Sequence, residues 1–175
     1  MIKEDSIISQ VNISEVNLLR TISVQTFTET FAHQNSESDM QKYVSENLSV
    51  EQLSKELNSK DSSFYFLKFN QQIIGYLKLN TGEAQTELKN SVSLEIERIY
   101  VKQQFHGQNF GKQLLYKAVE IARENHYQYI WLAVWELNLK AIAFYNKHDF
   151  VEFDKHTFKL GDDEQIDIMM KFILN

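Results

Sequence analysis

Cysteine does not occur in the 175 residues. Its absence excludes disulfide scaffolds, cysteine nucleophiles, thiolate zinc sites and cysteine-ligated iron–sulfur clusters, and it fits a reducing cytoplasm. Proline is also missing, and glycine occurs only five times. Turns therefore fall to Asn, Asp, Ser and those few glycines, so each glycine is informative. Long apolar runs are lacking too: the longest, Ile130 to Trp135, is far below the roughly 20 residues of a membrane helix. The opening MIKEDSIISQVNISEV does not lead from a basic start into an apolar stretch, so the expectation is no signal peptide, no membrane partner and a cytoplasmic location. Positive charge is in short supply as well, with 18 Lys and Arg against 24 Asp and Glu, a formal charge of -6. Without a basic field to neutralise phosphates, nucleic acid is not an expected partner. A small cationic amine is the more natural one. The five histidines are scattered with no HxxH or HExxH spacing, so no metal site is implied.

What is present, 43% hydrophobic and 24% charged content, is that of one globular domain over residues 1–175. The first third reads as helical. Ser14 can cap a segment to about Phe31, Ser38 or Asp39 can start a second through Leu48, and Ser49 with Gln52 makes a capping box for a third, Val50 to about Leu57. The hydrophobic period then changes to two. SSFYFLKF (62–69) and QIIGYLKLN (72–80) flank a turn at Asn70 and Gln71, a hairpin signal. A polar, acidic loop leads to SVSLEIERIYV (91–101), an alternating strand, and Gly111 to Asn125 carries Leu114, Leu115, Ala118, Val119 and Ala122 on one helical face. YQYIWLAVW (127–135) is a buried strand, Asn138 to His148 a short helix, and strands near Phe150 to Phe158 and Gln165 to Ile173 flank a GDDE turn. The order predicts a mixed α/β sheet in which the unit 92–135 joins parallel neighbours through a helix.

Two of the five glycines, Gly107 and Gly111, lie in VKQQFHGQNFGKQLL between that strand and that helix. Such a loop turns several backbone N–H groups and a positive helix end toward one point, the arrangement that holds a phosphate or pyrophosphate. A plain βα turn with a glycine at its tightest point is the alternative. The window is one residue short of a P-loop and lacks its Ser or Thr, and it lacks the three glycines of GxGxxG.

The run SLEIERIYV, then HGQNFG, then IWLAVWELNLKAIAFYNKHDF resembles the GNAT acyl-CoA N-acetyltransferases. TFTETFAHQNS (26–36) and GDDEQIDIMM (161–170) resemble the PaiA-type spermidine/spermine group within that family. The resemblance spans nearly the whole chain. It implies the GNAT fold, a twisted mixed sheet of about seven strands flanked by helices, with a splayed pair of parallel strands holding acyl-CoA. It further implies acetyl-CoA as co-substrate, and acetyl transfer to a primary amine of spermidine or spermine by direct attack in a ternary complex, from a monomer or homodimer. A protein amino group or another small amine is the alternative acceptor, and a non-catalytic acetyl-CoA-responsive module the alternative of another class.

Carried onto this chain, the resemblance places His106, Gly107, Gln108, Asn109, Phe110 and Gly111 in the pyrophosphate loop, with Lys112 adding charge. His106 stands where Gln or Arg is usual, Asn109 replaces the middle glycine, the usual proline near the start of the loop is missing, and Asp149 stands where the family favours glycine. Ile99, Tyr100 and Val101 would pair with the pantetheine arm, with the N–H of Ile99 or Tyr100 polarising the acyl carbonyl. Tyr145 would be the general acid for the thiolate and Asn138 a contact to the arm; the two are seven apart and so share a helical face. Lys147 would reach a cofactor phosphate. Glu95 matches the position of a catalytic glutamate in several members. Strand alternation puts Glu95, Glu97 and Ile99 on one face, so Glu95 or Glu97 is the candidate base, acting through a water. Glu29, Glu46 and Glu97 are the candidate partners for the distal ammonium groups of a polyamine.

Overall fold

The structure, a computed structural model, describes residues 6–160 and 163–174. Strand β1 (Ser6–Gln10) is followed by helices α1 (Val16–Phe31), α2 (Glu37–Asn47) and α3 (Val50–Leu57). Strands β2 (Ser62–Phe69), β3 (Gln72–Asn80) and β4 (Ser93–Val101) come next, then α4 (Phe110–Glu124), β5 (Tyr129–Trp135), α5 (Leu139–Lys147), β6 (Val151–Leu160) and β7 (Asp163–Ile173). The strands form one seven-stranded sheet in the order β1-β2-β3-β4-β5-β7-β6. Among the described residues no helix is long and apolar enough to cross a membrane.

Local chemistry explains most element ends. Ser36 and Ser49 accept from the N–H groups of Asp39 and Gln52 and so start α2 and α3. The first of these lies two residues ahead of the start read from sequence. Asn12, not Ser14, makes the first capping box: its side chain takes the Ser14 N–H while Glu15 returns to the Asn12 N–H. Asn70 and Gln71 both adopt positive φ, 49° and 64°, which matches the twist of a two-residue hairpin. Strand β1 is not signalled in the sequence. It is five residues long, and its place is fixed by antiparallel pairing with β2, Ser6 to Phe69 through Gln10 to Tyr65. The GDDE turn falls partly on Gly161 and Asp162, outside the described residues.

The core lies on both faces of the sheet. One cluster packs Leu114, Leu115 and Ala118 of α4 and Tyr145 of α5 against Leu94, Ile96, Ile130 and Leu132. The other packs Leu19, Ile22 and Phe27 of α1 and Leu53 of α3 against Phe64, Phe66 and Tyr76.

Two irregularities of β4 position the site. First, β4 and β5 are parallel and pair only from Ser93 with Tyr129 to Ile96 with Leu132. Past that point β4 keeps its partner β3, Val101 facing Gly75 and Ile99 facing Leu77, while β5 continues with β7. The two strands thus part in the middle of the sheet, as the resemblance implies. Second, the register against β3 jumps from Leu79–Ile96 to Lys78–Arg98, so Glu97 is the extra residue of a β-bulge. A bulge breaks the period of two. Ile99 and Val101 therefore join Leu94 and Ile96 under α4, whereas Tyr100 packs under α1–α3. The expected common face for Glu95, Glu97 and Ile99 holds for the two glutamates only.

Gly75 keeps this region in register. A Cβ there would sit 2.5 Å from the Tyr100 carbonyl oxygen and 3.2 Å from Val101 Cα. Gly75→Ala must push β4 away from β3, so we expect a loss of about 1–3 kcal/mol, read as a thermal midpoint lower by several degrees. An unchanged midpoint would show that β4 is not held this closely.

Candidate active site

Where β4 and β5 part, a cleft of about 1250 Å³ opens through the sheet. Its walls are the end of α1, the outer halves of β4 and β5, the glycine loop, α5, and parts of β6 and β7.

The loop has the backbone of an anion cradle. Gly107 has φ 74° and Asn109, which precedes α4, has φ 67°. Asn tolerates the left-handed region better than most residues, so it can replace a glycine here. Asp149, the other departure from glycine, is left-handed too, at φ 65°. Asn109 makes no side-chain cap, leaving the helix start to be satisfied by something other than that side chain. The surroundings are positive: besides burial, the charges of Lys112 and Lys147 hold His148 below the ordinary imidazole value. Gly111 lies beside Phe144, whose ring a Cβ would meet at 3.8 Å.

Two loop residues do something other than expected. His106 Nε2 donates to the Val101 carbonyl at 2.7 Å, so its ring closes the loop onto the end of β4. Phe110 is fully buried with its ring against Phe69 and Phe105, at centroid distances of 5.1 and 6.0 Å. Only its backbone is available to the cradle. Asn138 caps α5 by accepting from the Ala141 N–H at 3.2 Å and lines the cleft with Tyr145 and Lys147.

Tyr145 is 7% exposed, between Phe144 and Phe150 at centroid distances of 5.3 and 5.8 Å. Burial alone raises its phenol above the ordinary value of 10.0. Ile99, Tyr100 and Val101 line the opposite wall, on the part of β4 that β5 no longer covers.

Glu95 is 2% exposed. Asn80, its partner across the strands, donates to Oε2 at 3.0 Å, as does the Thr86 N–H at 2.9 Å, and the Thr86 hydroxyl donates to Oε1. Burial raises this carboxyl above the usual range against the pull of those bonds. Glu97 is its electrostatic opposite. Lys78 and Arg98 both pair with it, at 2.5 and 3.1 Å, and Arg98 foremost, then Lys78, overcome desolvation and bring it down to about 2. A carboxylate so held neither accepts a proton near neutral pH nor has charge to spare for an ammonium group. The candidate roles of Glu97 as base and as substrate contact are therefore corrected to a structural one. Glu46 is corrected as well, being exposed on α2 outside the cleft lining. Glu29 does line the cleft, but its carboxylate accepts from the Gln103 N–H at 2.8 Å and from Gln25 Nε2 at 2.9 Å.

Several cleft residues are missing from the sequence reading. Thr86 sits in a loop with no motif, and it is placed because Gln85 is anchored by Trp131 Nε1 at 2.7 Å and Ser93 Oγ at 2.9 Å. Asp167 and His156, facing each other across β7 and β6, are the others. Asp167 had a readable clue. In QIDIM it alternates in step with Gln165 and Met169, both buried, and a carboxylate at an inward strand position is unusual.

Comparison with known proteins agrees with this geometry. Residues 22–150 match the Acetyltransferase (GNAT) family. An uncharacterised N-acetyltransferase from the pepI 3' region of Lactobacillus delbrueckii subsp. lactis is 40% identical over 163 residues, 92% of this chain and 94% of that one. Streptothricin acetyltransferase A of Bacillus subtilis is 30% identical over 128 residues, 73% of this chain and 66% of that one. Among solved structures, PaiA N-acetyltransferase of Thermoplasma acidophilum in complex with coenzyme A superposes with a TM-score of 0.80 over 97% of this chain and 99% of that one, at 21% identity. The chain belongs to the GNAT family and is an acetyl-CoA-dependent N-acetyltransferase.

Proposed function

We propose that the acceptor is a polyamine of the spermidine or spermine class, acetylated on a primary amine by direct attack on acetyl-CoA. The observation that carries this is the segregation of charge within one cleft. Lys112, Lys140 and Lys147 line it at the α4 and α5 end, beside the anion cradle. Arg98 is neutralised by Glu56 and Glu97, and Lys159 is paired with Glu164 at 3.1 Å. Among the described residues the α1–α3 side of the sheet is left with Glu29, Glu87, Glu95 and Asp167 without a Lys or Arg partner, a surround for a polycation.

An alkylamine with a pKa near that of lysine is nucleophilic in only about one molecule in a thousand at neutral pH. Glu95 takes its proton through a water. Three of a carboxylate's roughly four acceptor positions are filled by Asn80 and Thr86, and the remaining one, on Oε1, holds that water. Tyr145 approaches from the opposite face and donates a hydrogen bond to the departing thiolate. Because its phenol lies above its usual value and a thiol ordinarily sits near 8.5, the proton stays on oxygen and the bond itself stabilises the leaving group.

A thiol-release assay with acetyl-CoA against spermidine, spermine, putrescine, lysine and a lysine peptide tests the reading. The highest kcat/KM is expected for spermidine or spermine. The likeness to streptothricin acetyltransferase A favours a second reading, a different small basic amine, so streptothricin belongs in the panel. Turnover on it alone would replace the polyamine assignment.

A further inference from the structure

Asp167 is 9% exposed and lines the cleft. Among the described residues its carboxylate has no hydrogen bond; the nearest basic side-chain atom is His156 Nε2, at 3.9 Å. The same imidazole nitrogen lies 3.8 Å from Glu87 Oε1, and the buried Nδ1 has no partner. Burial pushes the Asp167 carboxyl up to about 6, opposed only by His156. A buried carboxylate left without a hydrogen bond is costly, and native structures rarely keep one without a use.

The direction of this group is set by the sheet. Asp167 faces Trp135 across β5 and β7 and His156 across β7 and β6, and directly paired residues share a face. Trp131, two pairs earlier along β5 on that same face, is the partner of Glu95. Asp167 therefore stands on the face that carries Glu95, three residues along β5 from Leu132, where the strands part. At strand rise that is about 10 Å. Between them runs an aromatic wall. Tyr43 stacks on Phe27 at 4.2 Å, Phe27 meets Phe31 at 4.8 Å, and Phe31 meets Trp135 at 6.0 Å; all four line the cleft.

We infer that Asp167, with Glu87 on the other side of His156, is the subsite for a second, non-reacting ammonium group of the acceptor. The methylene chain lies on the aromatic wall, and the reacting nitrogen sits where β4 and β5 separate. The inference rests on the amine-acetylating reading and deepens it, moving recognition of the distal charge from Glu29, Glu46 and Glu97 to β7 and the loop before β4. Asp167 then selects among amines by the position of their second charge.

The test compares spermidine with butylamine, a monoamine that fills only the reacting end. In Asp167→Asn the ratio of KM for spermidine to KM for butylamine should rise about tenfold or more, the loss of one charge-assisted contact, with a smaller rise in Glu87→Gln. The neutral amide relieves a buried charge, so the variant should fold, checked by its thermal midpoint. An unchanged ratio overturns the subsite while amine acetylation stands. If wild type acetylates no amine, the activity reading fails on its own, and the subsite is read from calorimetric binding of spermidine to the CoA-loaded protein. There, weaker binding by Asp167→Asn supports it and equal binding overturns it.

Discussion

Tyr145→Phe should lower kcat by about 10²-fold or more while leaving the affinity for CoA within about twofold. The phenol has no hydrogen bond among the described residues, and its ring is held by Phe144 and Phe150. Removing the oxygen alone leaves that packing in place and strands no partner, so the thermal midpoint should not fall. What is lost is a donor used only as charge develops on the leaving sulfur, and such an interaction appears in kcat, not in ground-state binding. Thiol release and calorimetric titration with CoA read the two quantities separately. Because burial holds the phenol protonated well beyond neutrality, the wild-type rate should also show no decline attributable to Tyr145 between about pH 7 and 9. A variant that keeps kcat within about threefold would remove Tyr145 from the chemistry.

The residues around Tyr145 show why much of the site could be read from sequence. The βα loop, the helix start and the α5 cap are local features, written in Gly107, Asn109, Gly111 and Asn138, and each does in space what its backbone preference implies. The β4 glutamates were harder. Strand alternation is a local rule, and the bulge at Glu97 that breaks it arises from register against β3, more than 15 residues away in sequence. No periodicity within SLEIERIYV distinguishes the carboxylate that stays available from the one that is locked. That difference comes from Arg98, which the bulge turns toward Glu97, and from Lys78 of β3, with Glu56 of α3 pairing to both cations. Strand β1 and His156 were missed for the same reason. Each owes its place to a neighbouring strand, and His156 stands in a mostly polar segment that offers no pattern.

The locked glutamate makes the second large effect a matter of stability. Lys78, Arg98, Glu56 and Glu97 form a closed set of two cations and two anions. Glu56 bridges Lys78 at 3.1 Å and Arg98 at 3.0 and 3.2 Å through both oxygens, and Glu97 bridges the same two cations from the bulge. Lys78 and Arg98 are 4% and 7% exposed, so each depends on both carboxylates to offset its desolvation. The set ties α3 to the point where β4 changes register, directly behind the cleft. Glu56→Gln removes one charge at nearly constant volume and leaves a buried net positive charge, at an expected cost of about 3–5 kcal/mol. For a chain of this length that is a fall in thermal midpoint of roughly 10 °C. Glu97→Gln should cost a similar amount at neutral pH, and here the acid dependence gives a sharper test. The ion pairs hold Glu97 down to about 2 from an ordinary 4.5. Its stabilisation is therefore complete above about pH 4.5 and is lost as pH falls toward 2, where the carboxyl protonates in the folded state as well. Denaturant unfolding of wild type and Glu97→Gln at a series of pH values should show the two curves converging over that window. A gap that stays constant into acid would mean that packing at the bulge, and not the charge of Glu97, holds β4 in place.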